Sequence, residues 1–214
     1  MTPLGDTWSL LRTRIFPSAL KIVANVVVVV ALALLAYVCY RKYHDSGALN
    51  WLGLLIVNTL FVAMYIAKRD AAFISTSPPL WLLAFAGTCI PLALRPLPSA
   101  HSLALGNGIQ LVGLAAIMAA MLSLRRSFGI VPAHRGIRTQ GLYRLVRHPL
   151  YASELLWMLG FVIANPTLWN IGLWLGDCIL QFTRACAEER FLSADPVYSL
   201  YRARVKYRLV PRVI

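Results

Sequence analysis

Six apolar runs dominate this chain: Ile22 to Tyr40, Leu49 to Ala67, Leu80 to Leu94, Leu103 to Leu124, Leu150 to Ala164 and Thr167 to about Cys186. A bilayer crossing takes roughly 20 apolar residues, so runs of this length and number fix the class before any motif is read. Charged residues make up only 14% of the chain, against about 25% in an ordinary soluble domain. The expected fold class is an all-α integral membrane protein with five to six transmembrane helices. The third and fifth runs are short, and a tilted, re-entrant or interfacial segment there reduces the count to five. The first run exceeds the apolar core of a signal peptide and has no small-residue cleavage pattern after it, so it reads as a retained helix. Trp8 to Leu20, with Leu10, Leu11, Ile15 and Phe16 beside Arg12 and Arg14, reads as a short interfacial helix.

Basic residues set the orientation, because cytoplasmic loops carry the Lys and Arg excess. With six spans and the N-terminus inside, one side holds 18 basic residues and the other only Arg41, Lys42 and Arg95. Both termini are therefore expected in the cytoplasm. The net charge of +13 serves topology and contact with anionic lipid; nothing here builds a soluble basic domain for nucleic acid. Cys39, Cys89, Cys178 and Cys186 have no CxxC spacing and read as inert, buried thiols. No zinc pattern, Walker loop or GxGxxG fingerprint is present, and no metal is expected.

Three organisational units follow. Residues 1–21 form the interfacial segment, and 22–124 the first four transmembrane helices. Residues 125–214 hold the polar chemistry, including a helical hairpin over 150–192 and a basic C-terminal tail. Pro149 suits the first turn of a helix, where its missing N–H is no loss, and the hairpin turns at Asn165-Pro166. A returning helix from Thr167 to about Leu192 has roughly 26 residues, about 39 Å, which outruns the hydrocarbon core. Its end emerges beside the start of the preceding helix, so Arg147, His148 and Tyr151 are expected near Glu188 and Glu189. Asp177, Gln181, Arg184 and Glu188 are spaced by 4, 3 and 4, which puts all four on one face. Two explanations stay open for that stripe: an Arg184–Glu188 pair one turn apart with Asp177 bonded to a neighbouring helix, or a functional wet cavity. Glu189 lies off this face.

The runs Ser127 to Pro132, Thr139 to Tyr143, Arg147-His-Pro-Leu-Tyr151, Glu188-Glu189-Arg-Phe-Leu192, and Tyr198, Tyr201, Arg202, Val205, Arg208 and Pro211 together resemble the isoprenylcysteine carboxyl methyltransferase family. That group is related to phospholipid and membrane thiol methyltransferases. The resemblance covers roughly residues 122–211. It implies an S-adenosylmethionine site on the cytoplasmic side, with Leu142, Tyr143, Arg147, His148, Pro149, Tyr151, Glu188 and Glu189 as cofactor-binding residues. Many members have Gly where this chain has Ser153, a change expected to narrow the cofactor pocket. Arg202 and Arg208 match the family's C-terminal basic segment, and one of them is expected to anchor the substrate. Glu188 or Glu189 becomes a base if the acceptor is a thiol or amine.

The expected activity is therefore methyl transfer to a lipophilic acceptor, the carboxylate of a prenylcysteine-like compound being favoured. A phospholipid amine or a small thiol is the alternative. Compact size and the lack of an organellar address point to a bacterial inner membrane and to a small lipophilic acceptor. The lipid bilayer is the expected partner, and oligomeric state is not indicated. A sterol-reductase-like enzyme using NADPH shares the C-terminal architecture, but its motif usually has Asn where this chain has Leu150. A transporter, suggested by Asn25, Asn58 and Asp177, is disfavoured because charge gathers at one face and not along a midplane path.

Overall fold

The computed structural model describes residues 18–47, 49–71, 73–75, 77–97, 103–131 and 133–213. The interfacial helix expected over Trp8 to Leu20 lies almost wholly outside them. Among the described residues, seven α-helices run in order: α1 (Ser18–Ser46), α2 (Leu49–Ala67), α3 (Pro78–Cys89), α4 (Ala104–Leu124), α5 (Pro149–Ala164), α6 (Leu168–Leu192) and α7 (Pro196–Arg204). The fold is all-α, apart from a two-residue ribbon in which β1 (Phe73–Ile74) pairs antiparallel with β2 (Ala133–His134). Neither the ribbon nor α7 was expected from sequence.

Among the described residues, two helices are long and apolar enough to cross a bilayer, Asn25–Ser46 and Ala104–Ser127. Trp51–Ala67, Pro78–Ala93 and Pro149–Ala164 are apolar but shorter. The short third run has a local cause: Pro91 cannot extend an α-helix, so the chain tightens into a 3-10 turn over Ile90–Ala93. Large apolar side chains stand exposed along α1 (Val26, Val30, Leu34), α4 (Leu105, Leu111, Val112) and α6 (Leu175, Ile179, Phe182). An apolar exterior this extensive suits a lipid surrounding better than water. Of the cysteines, Cys39 is buried as expected; Cys89 is exposed, and Cys178 and Cys186 are partly so.

Helices α4 and α5 make the closest approach in the fold. A Cβ added at Gly113 would lie 2.6 Å from Trp157 Cα, and one at Gly160 would lie 2.5 Å from Gln110 N. These glycines let two backbones touch where lipid supplies no hydrophobic drive for association. At the turn between α5 and α6, Asn170 Nδ2 donates to Asn165 O at 2.9 Å and to Arg95 O at 2.9 Å. Asn165 Oδ1 in turn accepts from Leu97 N at 2.8 Å, so two buried amides fasten the segment after α3 to this turn. Trp174 Nε1 then donates to Leu155 O at 3.1 Å, holding α6 against α5 as it returns.

At the opposite end the basic loops meet. Arg69 N donates to Arg126 O at 2.7 Å, and Arg126 Nε donates to Ala67 O at 3.0 Å. The C-terminal segment, expected as a basic tail, folds back onto the start of α5 instead. Arg147 N donates to Tyr207 O and His148 N to Arg208 O, both at 2.9 Å. The physical reason is satisfaction: the first N–H groups of a helix have no partner within it, and the tail's carbonyls lie at that end.

Candidate functional site

Helix α5 begins with Pro149 after His148, and α6 ends with Glu188 and Glu189 in its last turn. Their antiparallel arrangement brings the two motifs together. Glu189, only 3% exposed, is the hub. Its Oε1 accepts from Arg147 Nε at 2.7 Å, Arg208 Nε at 3.0 Å and His148 Nε2 at 3.2 Å. Its Oε2 accepts from Arg208 Nη2 at 3.0 Å, so Arg208 grips the carboxylate as a two-pronged fork. Burial alone would raise this carboxyl, but the bonds from His148, Arg208 and Arg147 override it and hold it well below the usual carboxylate range. Arg147 also donates through Nη1 to Val205 O at 2.8 Å and Lys206 O at 2.6 Å.

Glu188 faces the other way. It accepts from the Tyr151 hydroxyl at 3.1 Å and lies 3.7 Å from His148 Nδ1. The His148 and Tyr151 rings stack, with centroids 5.5 Å apart and planes 3° from parallel. Glu188, Tyr151, His148, Arg147 and Tyr143 line a cleft with about 730 Å³ of empty space, partly open to solvent. Tyr198, Tyr201, Leu192 and residues 133 and 135–138 complete its wall. The Tyr201 hydroxyl donates to Tyr143 O at 2.8 Å. His134 pairs with Asp195, the N-cap of α7, at 2.5 Å, clamping the ribbon to that helix. Burial raises the Tyr143 phenol well above its ordinary range, and Glu188 adds to it.

The structure thus gathers Tyr143, Arg147, His148, Tyr151 and Glu188 on the cleft, with Glu189 and Arg208 as a buried brace behind them. Pro149 starts the helix and Leu142 packs into the apolar core; neither lines the cleft. Arg202 is exposed and also lies away from it. Ser153 is buried, donates to Pro149 O at 2.7 Å and does not reach the cleft, so the expected narrowing is absent.

Of the two explanations for the polar stripe on α6, the pairing one is not what the side chains adopt. Arg184 does not bond Glu188; it donates to Gln181 Oε1 at 3.0 Å and Ile130 O at 3.3 Å, and its guanidinium lies 4.7 Å from the Tyr151 ring centre. The cause is α3, whose Gly87 leaves room for the guanidinium: a Cβ there would sit 2.8 Å from Arg184 Nη1. Asp177, which the pairing explanation bonds to a neighbouring helix, is fully buried with both carboxylate oxygens unbonded, Gln181 being close by on the same face.

Two residues escaped the sequence reading. Glu154 accepts from Gln181 Nε2 at 2.8 Å and lines a second cavity of about 510 Å³ among Leu54, Val57, Phe61 and Trp157. An ionisable residue five positions into an apolar run was its visible signal. Arg135 is 8% exposed and lines the main cleft; no spacing rule marks it.

Exposed apolar helix faces and a polar cleft at the ends of α4, α5 and α6 suit a protein that works at a membrane surface. Residues 98–198 match the family model of phospholipid methyltransferases. The matched stretch, just under half of the chain, is similar to a domain of that family, itself part of the isoprenylcysteine carboxyl methyltransferase-like group, and indicates a methyltransferase. The match takes in α4 to α6 and stops at Tyr198, short of the segment that supplies Arg208. A search of curated proteins finds no match to the chain.

Proposed function

We propose that this membrane methyltransferase uses S-adenosylmethionine bound in the cleft walled by Tyr143, His148, Tyr151, Glu188 and Tyr198, and methylates a lipophilic acceptor presented from the bilayer. The carrying observation is the cleft's donor set. A carboxylate, several aromatic faces and an unbonded Tyr198 hydroxyl suit a ligand that combines hydroxyls, a carboxylate and positive charge. That cofactor, when bound, supplies an electrophilic methyl on a positively charged sulfur.

The chain's own part is alignment. Methyl transfer needs the nucleophile held in line and close, which contributes through proximity and not through covalent catalysis. Tyr151 and Tyr143 offer π faces to positive charge, and Glu188 is held in place by the Tyr151 hydroxyl. Arg147, His148 and Arg208 act through Glu189, fixing the cleft's back wall, so Arg208 is a positioning residue on this reading and Arg202 has no assigned role.

Residues 22–124 act as the membrane scaffold with four of six spans, α5 and α6 supply the others, and residues 125–214 form the cofactor-binding region. The basic excess supports a cytoplasmic position for the cleft. A prenylcysteine-like carboxylate is the favoured acceptor, since it is ionised at neutral pH and needs no base. The family match favours a second reading, a phospholipid amine, for which Glu188 takes the proton released as the new C–N bond forms.

Calorimetry with S-adenosylhomocysteine on purified protein tests the cofactor. Binding is expected, with loss in His148→Ala under conditions where that variant still unfolds cooperatively; no binding, alongside binding of NADPH, overturns the reading. Transfer of labelled methyl into a membrane extract separates the acceptors: an ester releases volatile label in base, whereas an N-methyl product does not.

A further inference from the structure

The cleft contains a cation that the fold leaves to spare. Arg147 and Arg208 are bound to Glu189, and Arg138 Nε donates to Ser127 Oγ at 3.0 Å. Arg135 differs. It is 92% buried by its 8% exposure, yet no carboxylate among the described residues pairs with it. Its Nε has no hydrogen-bond partner. A buried guanidinium normally carries such partners, because desolvating a charge without them is costly. The arrangement is specifically accommodated: a Cβ at Gly129 would fall 2.2 Å from Arg135 Nη1, so only glycine allows the guanidinium to lie where it does.

Two further observations point the same way. Among the described residues, the other orphaned group on this cleft is the Tyr198 hydroxyl, also a donor. Lys68, at the end of α2, is near enough to be felt: burial, then Arg135, pushes its amine down to about 7. The fold thus sets a second basic group, itself bonded to Asn25 Oδ1 at 2.8 Å, near the guanidinium. Tyr65, Glu188 and Asp70 act on Arg135 electrostatically, the two carboxylates from beyond ion-pair distance.

We infer that Arg135, assisted by the Tyr198 hydroxyl, is an anion-binding subsite of the cleft that receives a carboxylate or phosphate group of a bound ligand. The inference deepens the methyltransferase reading and rests on it for the ligand's source: the carboxylate of the cofactor, or the anionic head of the acceptor.

Calorimetry on the full chain in detergent separates the two sources. In one arm, S-adenosylhomocysteine and 5′-methylthioadenosine, which lacks the amino-acid carboxylate, are titrated into wild type, Arg135→Gln and Arg135→Lys. If the cofactor's carboxylate sits on Arg135, Arg135→Gln weakens S-adenosylhomocysteine at least tenfold and leaves 5′-methylthioadenosine unchanged; Arg135→Lys recovers part of the loss, and Tyr198→Phe weakens binding several-fold. In the second arm, melting temperature is read with dioleoylphosphatidic acid and with dioleoylglycerol. If the acceptor's head sits there, wild type is stabilised by the acid lipid alone, Arg135→Gln loses that shift, and its S-adenosylhomocysteine affinity is unchanged. An Arg135→Gln protein that melts like wild type and matches it in both arms overturns the inference; Arg135→Lys supplies the same comparison if the glutamine variant fails to fold. Failure of wild type to bind either nucleoside overturns the cofactor reading instead, and the lipid arm still decides the anion site.

Discussion

Two groups of polar side chains centred on α6 are satisfied very differently. At the helix end, Glu189 receives four hydrogen bonds from three basic side chains. Roughly one to three turns earlier on α6, Asp177, Gln181 and Arg184, together with Glu154 of α5, have one bond into Glu154, one between Arg184 and Gln181, and none on Asp177. The first is a closed brace that shapes the cleft. The second is an under-bonded polar interior beside an apolar cavity. Burial alone does not say what a charged group is for; the count of its bonds separates a structural ion pair from a group with capacity to spare.

The largest expected effect tests the closed brace. Glu189→Ala leaves two arginines and a histidine without their acceptor and is expected to cost about 3–5 kcal/mol, as removal of one partner from a buried ion pair does. Thermal unfolding in detergent measures it. A cost no larger than that of changes in the other group breaks the comparison.

Acid reads the same contrast without mutation. Because the folded Glu189 carboxyl is held below its ordinary range, its stabilisation is complete above the unfolded value of about 4.3 and is lost as pH falls toward the folded one. Circular dichroism and S-adenosylhomocysteine calorimetry should hold steady from Glu189's contribution between about pH 7 and pH 5. Decline belongs below that window.

Smaller effects belong to the under-bonded group. Glu154→Gln keeps an oxygen to accept from Gln181 and should change stability by about 0.5–1.5 kcal/mol. If the apolar cavity holds the acceptor, KM for acceptor rises while S-adenosylhomocysteine affinity stays put. Asp177→Asn removes a carboxylate that accepts no hydrogen bond, so it should be neutral or stabilise by up to about 1 kcal/mol. A loss comparable to that of Glu189→Ala would mean that Asp177 holds the fold together as firmly as the hub does.

Much of the cleft was legible because its two halves carry dense local signals. Arg147-His148-Pro149 announces a helix start, the length of α6 places Glu188 and Glu189 opposite it, and antiparallel pairing joins them. Helix α7 was legible in principle, since Asp195-Pro196 is an N-cap followed by proline at the first helical position. What stayed hidden depends on contacts without periodicity. Arg208 looks like one of several tail basics until the segment folds back, and the pairing of Phe73 with His134 leaves no pattern in two-residue strands. Helical spacing pairs Arg184 with Glu188, but a glycine on α3, more than 90 positions away in sequence, offers it a better place. Arg135 is invisible to any spacing rule, because its distinction is the partner it lacks.

The tail's bonds to the start of α5 also bear on the order of assembly. Arg147 and Lys206 are 59 positions apart, and everything between them must be arranged before that bond can form. Closing so long a loop has an entropic cost that local helix formation does not meet. Helical structure is therefore expected to return early on refolding from denaturant, with cofactor binding lagging behind it, because the cleft has no back wall until the chain between them has come round.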